Sequence, residues 1–342
     1  MSGQQTTGIP GFHAVPVADS SPRGARVKFR EEDEFHQCWY PVALSSEVGE
    51  NAVIGAPFLD GRVVVYRTSD GMAHVKSAYC RHLGADLSIG RLVGDQLQCP
   101  FHFWRYGTNG ACTEVPSGDR PPPRAKLFNY PTAESLGIIW VFNGETALYS
   151  PPSFECSGQD LIVDAFRNPR PMRVDSSIVF LNSFDLQHFR VVHDMPMEVD
   201  QNHICNDGHT LTYQARVNVP EFGEVVQYRK LWGVNTVTVS SETNGRRQYL
   251  LHSLCPVSAA TTEGFLVAAT PVGSTTEDVD LAKALVARLR EYSLRLINED
   301  APIFETVSFR RDNLTASDRF LAFGIRYICN YPRAHPGREM IR

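Results

Sequence analysis

Four side chains that could bind metal lie on two short loops between residues 79 and 107. The first loop carries Cys80 and His82, and the second carries Cys99 and His102. Sixteen residues separate the pairs, which is enough for a β-excursion that brings the second loop back beside the first. Thiolate and imidazole ligands in this number suit either tetrahedral zinc or an iron–sulfur cluster.

The order of the ligands favours one of these two alternatives. A zinc finger usually pairs Cys with Cys and His with His along the chain, whereas each loop here supplies one of each. Both cysteines could therefore bind one iron and both histidines the other, which is the Rieske arrangement of a [2Fe–2S] cluster. Structural zinc is the alternative.

A second group of polar residues follows in the stretch LNSFDLQHFRVVH, from residue 181 to residue 193. Asp185 and His188 are three residues apart and share a helix face. His188 and His193 are five apart, about 140° around an ideal helix, so they converge on one metal only where the helix is distorted or ends. An ordinary amphipathic helix with polar histidines is the alternative, because such motifs are weak by themselves.

The two loops carry a family resemblance. The segments CRHLGADL, from Cys80, and CPFHFW, from Cys99, closely resemble the Rieske signature of Rieske non-haem iron oxygenases. The resemblance implies a [2Fe–2S] cluster held by Cys80, His82, Cys99 and His102. One residue departs from the pattern, since the family often has Gly after the second His and this chain has Phe103.

The same resemblance implies a mononuclear iron site in the second half. The pattern of Asn182, Asp185, His188 and His193 is similar to the family's catalytic motif, with the two histidines as Fe(II) ligands. The third ligand would be a carboxylate near the end of a long C-terminal helix, and Asp300 fits best. Glu299 is the rival, although only one of two adjacent helical side chains should face the iron.

A bridging role for Asp185 is also implied. In the family, this acid binds the iron-ligating His188 on one side and a cluster histidine of a neighbouring subunit, matching His102, on the other. The resemblance thus implies a head-to-tail homotrimer in which electrons cross between chains.

The elements that must position these residues divide into two parts. Residues 1–35 are predicted to be an N-terminal arm, residues 36–150 an all-β Rieske domain, and residues 151–342 a mixed catalytic domain. The second part has a helical candidate at 177–194, several strands, a hairpin turn at Asn244-Gly245 and an amphipathic helix at 277–298. The fold class is α+β, and the resemblance implies a helix-grip, START-like catalytic domain.

Bulk properties exclude several classes of protein. The chain has 342 residues, 42% of them apolar, and a net charge of −5, which argues against a nucleic-acid binder. No apolar run approaches the roughly 20 residues of a membrane helix, and the N-terminus lacks the layout of a secretory signal. Eight cysteines in so long a chain do not indicate a disulfide scaffold, so a cytoplasmic location is expected.

The expected function is that of a terminal oxygenase in a multicomponent system. NAD(P)H would supply electrons through a separate flavin reductase, with or without a ferredoxin, because the chain has no Gly-rich nucleotide fingerprint. The substrates would be O₂ and an aromatic or polycyclic organic molecule, which is hydroxylated or demethylated. A cis-diol-forming dioxygenase, an electron carrier and a zinc-stabilised binding protein are alternatives.

One further cluster could suggest metal. His203, Cys205 and His209 lie on a polar loop after the catalytic motif. We interpret them as residues that line the substrate pocket or its entrance, with zinc binding as the alternative.

Overall fold

A computed structural model describes residues 34–156, 159–220, 223–258, 260–310 and 313–342. Residues 1–33 of the predicted arm lie outside these ranges. In the described part of the chain, no helix is both long enough and apolar enough to cross a membrane.

Short antiparallel strands make up the first half, as predicted. Three sheets form, with strand orders β10-β11-β2, β3-β4-β5 and β6-β7-β8-β9. The described strands are Phe35–His36 (β1), Trp39–Leu44 (β2), Val53–Phe58 (β3), Gly61–Arg67 (β4), Ala73–Ser77 (β5), Arg91–Val93 (β6), Gln96–Gln98 (β7), Arg105–Tyr106 (β8), Cys112–Glu114 (β9), Thr132–Ser135 (β10) and Ile138–Phe142 (β11).

The second half contains a large antiparallel sheet and the helices. The strands are Leu161–Arg167 (β12), Met197–Val199 (β13), Cys205–Asn206 (β14), Thr210–Val219 (β15), Gly223–Trp232 (β16), Thr236–Thr243 (β17), Arg246–Ser258 (β18), Thr261–Pro271 (β19) and Arg333–Ala334 (β20). The helices are Ser176–Leu181 (α1), Leu186–Val191 (α2), Thr276–Phe304 (α3), Arg319–Asn330 (α4) and Arg338–Ile341 (α5).

A long helix packs against this sheet. The main path of the sheet runs β12-β19-β18-β17-β16-β15-β13. Helix α3 begins with a capping box in which Thr275 and Asp278 bond each other's main-chain amides. Its buried residues Val286 and Leu289 join an apolar cluster with Phe166 and Leu266 of the sheet. This arrangement of antiparallel strands with packed helices confirms the predicted α+β class.

The predicted helix at 177–194 is wrong as a single element. Helix α1 ends at Leu181, a 3₁₀ turn follows at Asn182–Phe184, and α2 begins only after Asp185, whose backbone is extended (φ −96°, ψ 91°). The Asp185 carboxylate accepts the main-chain N–H of His188 at 2.9 Å and so starts the second helix. Because a side chain that caps a helix competes with continuing one, the segment breaks here.

The two halves share a core. The largest apolar cluster contains residues of both, and strand β1 pairs with β20 across the whole length of the described chain. The buried amide of Asn143 donates to the carbonyl oxygens of Phe35 and Ala334, at 3.1 and 2.7 Å. Asn235 donates to the carbonyl oxygen of Trp39 at 2.9 Å. The division at residue 150 therefore falls inside one continuously packed molecule.

Candidate functional site

The four predicted cluster ligands lie together at one end of the first half. Their loops are tight turns, in which the Cys80 amide bonds the Ala85 carbonyl and the Cys99 amide bonds the Trp104 carbonyl, at 2.9 and 2.8 Å. The two cysteines are buried, whereas His82 and His102 are exposed and their rings lie 4.7 Å apart. The ligand set therefore has a buried sulfur end and an open imidazole end.

Aromatic residues support both ends of this ligand set. The Tyr106 hydroxyl lies 3.1 Å from the Cys80 sulfur, within hydrogen-bonding distance, and accepts the Arg81 amide at 3.0 Å. The indole of Trp104 stacks on the His82 ring at 4.4 Å, nearly parallel. These contacts hold a sulfur and an imidazole in place from opposite sides.

The donor set fits a [2Fe–2S] cluster. Burial, together with the neighbouring Cys99 thiol, raises the pKa of Cys80, so two adjacent buried thiolates are unfavourable without a cation between them. Both cysteines are free thiols. Bound iron would supply that cation.

Phe103, the departure from the family pattern, has a backbone that most residues avoid. Its φ is 57°, in the left-handed region where glycine has the advantage over side chains with a Cβ. Its ring is 50% exposed, and Leu83 and Phe101 beside it are also exposed. The residue that replaces glycine thus combines an unfavourable backbone with a half-exposed apolar side chain next to His102 in the sequence.

The structure brings His188, His193 and Asp300 into one cluster. Helix α2 carries His188, the turn after it carries His193, and the last turns of α3 carry Asp300. The Nε2 atoms of the two histidines lie 3.0 Å apart, and Asp300 Oδ1 lies 3.0 and 3.4 Å from them. Ligand atoms of these three residues all lie within 4.8 Å of one another.

A shared metal ion explains the positions of these three side chains better than hydrogen bonds between them do. Asp300 Oδ1 is buried and, although close to both nitrogens, has no partner with hydrogen-bond geometry within the described ranges. Burial raises the pKa of Asp300, but the adjacent imidazoles of His188 and His193 outweigh it and leave that pKa below its usual value. Two imidazoles and one ionised carboxylate converging on a point match the facial triad of non-haem Fe(II).

Two polar residues, Glu299 and Asn182, fix the orientation of these three side chains. The His193 ring donates from Nδ1 to Glu299 Oε2 at 2.6 Å, which leaves Nε2 to face Asp300. The Asn182 amide donates to Asp300 Oδ2 at 3.3 Å and lies 3.1 Å from His188 Nε2. Glu299, the rival to Asp300 in the sequence, is therefore placed behind a histidine and not among the three converging atoms.

Asp185 lies at the break between the two helices, with its carboxylate on the His188 main-chain amide. The structure thus shows a helix cap on the main chain of His188, and the expected hydrogen bond to the His188 ring stays a prediction. Asp185 is partly exposed, and Gln187 and Arg190 beyond it are exposed.

A cavity opens from His188, His193 and Asp300 into the space between the sheet and α3. It has about 1040 Å³ of empty space, its mouth included, and His188, His193 and Asp300 are in its wall. Apolar side chains form most of the remaining wall: Met172, Val179, Phe180, Phe189, Val237, Val239, Leu250, Leu254, Phe265, Leu266, Tyr292, Leu296, Ile297 and Phe304.

Sequence reasoning missed the polar residues Gln227 and Arg229 of this cavity. Both lie on β16, which was not predicted, and both are buried. On that strand Val225, Gln227, Arg229 and Leu231 alternate with more exposed residues, so polar residues occupy inward positions. Because residues 225–231 do not alternate between apolar and polar types, the sequence itself carried no signal for these two positions.

The third candidate cluster does not assemble in the described residues. His203 is exposed and bonds Asp200 at 2.7 Å, Cys205 is exposed, and His209 stacks on Tyr149 at 5.9 Å. None of the three is in the wall of the cavity next to the iron ligands. They therefore do not line this cavity, and the interpretation that they lie at its entrance stays a prediction.

The structure thus has a Rieske-type ligand set in one half and, in the other, a second set of three converging side chains that could hold a metal ion. Comparison with known proteins agrees. Residues 38–131 match the family model of the Rieske [2Fe-2S] domain. The resemblance of the two loops to the Rieske signature is confirmed, and this chain contains a Rieske [2Fe-2S] domain.

Curated relatives match over part of the chain. The oxygenase component of a 3-ketosteroid-9-alpha-monooxygenase from Rhodococcus rhodochrous is 34% identical over 46% of this chain and 43% of its own length. A cholesterol 7-desaturase from Bombyx mori is 30% identical over 47% and 36%. The chain thus spans less than half the length of these relatives.

Solved structures share the fold over most of the chain. Dicamba monooxygenase bound to dicamba matches 86% of this chain and 96% of its own with a TM-score of 0.66 at 21% identity. NdmA of Pseudomonas putida CBB5 matches 85% and 88% with a TM-score of 0.66 at 20% identity. The chain therefore shares the fold of these proteins across both of its halves.

Proposed function

We propose that this chain is the terminal oxygenase of a multicomponent Rieske system. The single observation that carries the proposal is the convergence of His188, His193 and Asp300 on the wall of a large apolar cavity, in a chain that also has a Rieske ligand set. A Rieske domain alone transfers electrons, and the cavity supplies a place where they are used. The proposed domains are 36–150 for the cluster and 151–342 for catalysis.

When bound, the cluster would supply single electrons and the iron would supply a site for O₂ with open coordination positions. Cys80, His82, Cys99 and His102 would hold the first group, and His188, His193 and Asp300 the second. Glu299 keeps the His193 tautomer, Asn182 positions Asp300, and the apolar wall excludes water from the substrate. The net reaction joins substrate, O₂, two electrons and two protons to give hydroxylated product and water.

Electrons would come from NAD(P)H through a flavin reductase, with or without a ferredoxin. We also propose a homotrimer in which His102 of one chain faces Asp185 of the next. In the described part of the chain, the ring contacts of His82 and His102 are with each other, Trp104 and Phe101. The imidazole end of the cluster site therefore faces outward, which suits transfer to another chain. The free cysteines suit a cytoplasmic location.

The substrate would be an aromatic or polycyclic molecule that is hydroxylated or oxidatively demethylated. The apolar wall supports this class, and the relatives include a steroid monooxygenase by name. A cis-dihydroxylating dioxygenase is the second candidate, since the same ligand set would serve it.

Metal analysis followed by turnover tests the proposal. The purified chain should contain three irons and two acid-labile sulfides, and it should oxidise NAD(P)H in an O₂- and substrate-dependent way with a surrogate reductase. Labelled O₂ should place one atom in the product, whereas a dioxygenase places two. Two irons only would make the protein an electron carrier, and zinc without labile sulfide would overturn the proposal.

A further inference from the structure

Among the residues that the structure describes, a buried arginine of the cavity has no acidic partner. The side chain of Arg229 is 7% exposed, and it lines the same cavity as the proposed iron ligands. Within the described residues, its guanidinium contacts Gln227 Oε1 through Nε and Nη2 (3.0 and 2.8 Å), the Tyr213 hydroxyl, and the ring of Phe189 at 4.9 Å. No carboxylate is among these neighbours.

Neutral groups leave this charge only partly compensated. A buried cation is usually paired with an anion because desolvation of an unpaired charge costs several kcal/mol. Gln227 accepts two of the five N–H groups of the guanidinium, and Tyr213 can accept only one more. Arginine N–H groups therefore remain for a ligand, in the planar fork geometry that suits a carboxylate or sulfonate.

The other ionisable groups that line the cavity do not supply Arg229 with an anionic partner. Asp300 lies against the rings of His188 and His193, at 3.0 and 3.4 Å, and belongs to the proposed iron ligands. His252 bonds the Ser293 hydroxyl at 3.2 Å, and burial together with Arg229 lowers its pKa to about 4, so it is neutral near pH 7. The cavity thus carries positive charge on its sheet wall, set among apolar side chains.

We propose that Arg229 is a specificity-determining residue that binds an anionic group, a carboxylate or a sulfonate, on an otherwise apolar substrate. This inference rests on the proposed function and narrows its substrate class. Arg229 touches Phe189, the neighbour of His188, so an anion bound there would anchor the apolar part of the substrate in the cavity next to the iron ligands.

Paired probes test the charge preference directly. Benzoate, 2-naphthoate and pyrene-1-carboxylate are compared with their primary amides, which have similar shapes and no charge. Binding to the purified, oxidised holoprotein is measured by calorimetry. We expect at least one carboxylate to bind about tenfold more tightly than its amide. If no carboxylate is preferred over its amide, the inference is wrong.

Two substitutions then locate the preference. Arg229→Gln should abolish the preference for the carboxylate while changing amide binding less than about threefold. Gln227→Glu should do the same by a different route, because it gives Arg229 a carboxylate of its own, and it keeps the test decisive if the first variant does not fold. Arg229→Lys should retain part of the preference, since it keeps the charge and loses the fork.

Lys230→Gln is the matched control. Lys230 follows Arg229 on β16, but its ammonium group lies over the Trp232 ring at 4.1 Å and it is not in the wall of this cavity. The preference should survive this loss of charge. If Lys230→Gln removes the preference, or if Arg229→Gln and Gln227→Glu both keep it, Arg229 is not the anion site.

Failure of this inference and failure of the proposed function give different results. The probes report on the cavity without turnover, whereas iron content and substrate-dependent O₂ consumption report on the oxygenase. Three irons with no charge preference would leave the oxygenase proposal intact and reject the anion site. A charge preference without mononuclear iron would support the anion site and reject the oxygenase proposal.

Discussion

At the scale of single residues, the two proposed sites differ in the contacts that hold their metal-ligating side chains in place. The mononuclear site relies on a chain of polar contacts, in which Glu299 orients His193 and Asn182 orients Asp300. The cluster site relies on burial of its cysteines and on aromatic contacts with its histidines. Substitutions at each site should therefore have separate effects.

Asp300→Ala should lose the mononuclear iron and keep the brown cluster, because it removes the one carboxylate among the three converging atoms. Glu299→Gln is the matched variant. It retains an oxygen that can accept from His193, so iron affinity should fall at most about 10- to 100-fold. Iron and labile-sulfide content report both results. If Glu299→Gln empties the iron site while Asp300→Ala does not, the ligand assignment is reversed.

Tyr106→Phe should lower the reduction potential of the cluster. The hydroxyl faces the Cys80 sulfur at 3.1 Å, and a hydrogen bond to sulfur stabilises the more negative, reduced state. A bond worth about 1 kcal/mol more in that state corresponds to about 40 mV for one electron.

Tyr66→Phe is the control for this measurement. The Tyr66 hydroxyl is buried in the same apolar cluster without a hydrogen-bond partner in the described part of the structure. Its removal should leave the potential within a few mV when both variants are measured by voltammetry. Equal shifts in the two variants would contradict a specific role for Tyr106.

At the scale of elements, the end of helix α2 before His193 is the feature that brings the two histidines of the proposed iron site together. A continuous helix would place His188 and His193 about 140° apart, whereas the observed α2 ends at Val191 and the chain turns before His193. Asp194 has a positive φ of 53° at this turn. The catalytic motif is therefore half helix and half turn.

Asp185→Asn should separate the two roles of this residue. Asparagine caps helices about as well as aspartate, so the start of α2 and both metal sites should survive. Turnover should nevertheless fall by orders of magnitude, because the proposed electron bridge to His102 of the next chain loses its charge. Asp185→Ala should in addition lose roughly 1 kcal/mol of stability with the cap. Normal turnover in Asp185→Asn would reject the bridge.

The sequence predicted the elements whose patterns are local. The Asn244-Gly245 turn joins β17 to β18 with both residues at positive φ, and α3 covers the predicted 277–298. It extends to Phe304, beyond the periodic apolar residues, and so includes Asp300. The sequence could not predict the break at Asp185 or the cavity role of Arg229, because both depend on contacts between distant segments. Gly324 gives an example of such a contact. A Cβ at this position would lie 2.4 Å from the ring of Phe184, which is distant in the sequence.

At the scale of the whole molecule, the exposed apolar side chains around the cluster site bear on assembly. Leu83, Phe101 and Phe103 are exposed and are sequence neighbours of His82 and His102. We expect the neighbouring chain of the proposed trimer to cover them.

Phe103→Asn should weaken that assembly without unfolding the chain. Asparagine tolerates the left-handed backbone better than phenylalanine does, and it removes the exposed ring. Leu281→Asn is the control, since Leu281 is 56% exposed on α3, away from the cluster loops. Sedimentation velocity should show dissociation for the first variant only. A wild-type chain that sediments as a monomer would rule out the trimer.

Stability should depend on pH through His36. Burial and the nearby Arg333 lower the pKa of His36 to about 3, although its bond to the Ile328 carbonyl opposes this. An unfolded His takes up a proton near pH 6.5, so the folded state loses stability as pH falls from about 6.5 towards 3. The loss has a limiting slope of about 1.4 kcal/mol per pH unit.

His36→Gln should flatten this acid limb, because glutamine can donate to the same carbonyl without titrating. Urea unfolding at pH 7 and pH 4.5 measures the difference. The two proteins should lose different amounts of stability between these values, with the larger loss in the wild type. Parallel losses would show that other groups control acid unfolding.

The pairing of β1 with β20 has a consequence for synthesis. About 300 residues separate Phe35 from Ala334, so a ribosome adding about 5–20 residues per second takes roughly 15–60 s between making one strand and the other. We expect the cluster loops to fold first, while β1 still lacks its partner. Strand β1 can pair only after β20 has emerged. The nascent chain therefore passes through an interval in which its ligand loops are formed and β1 is still unpaired.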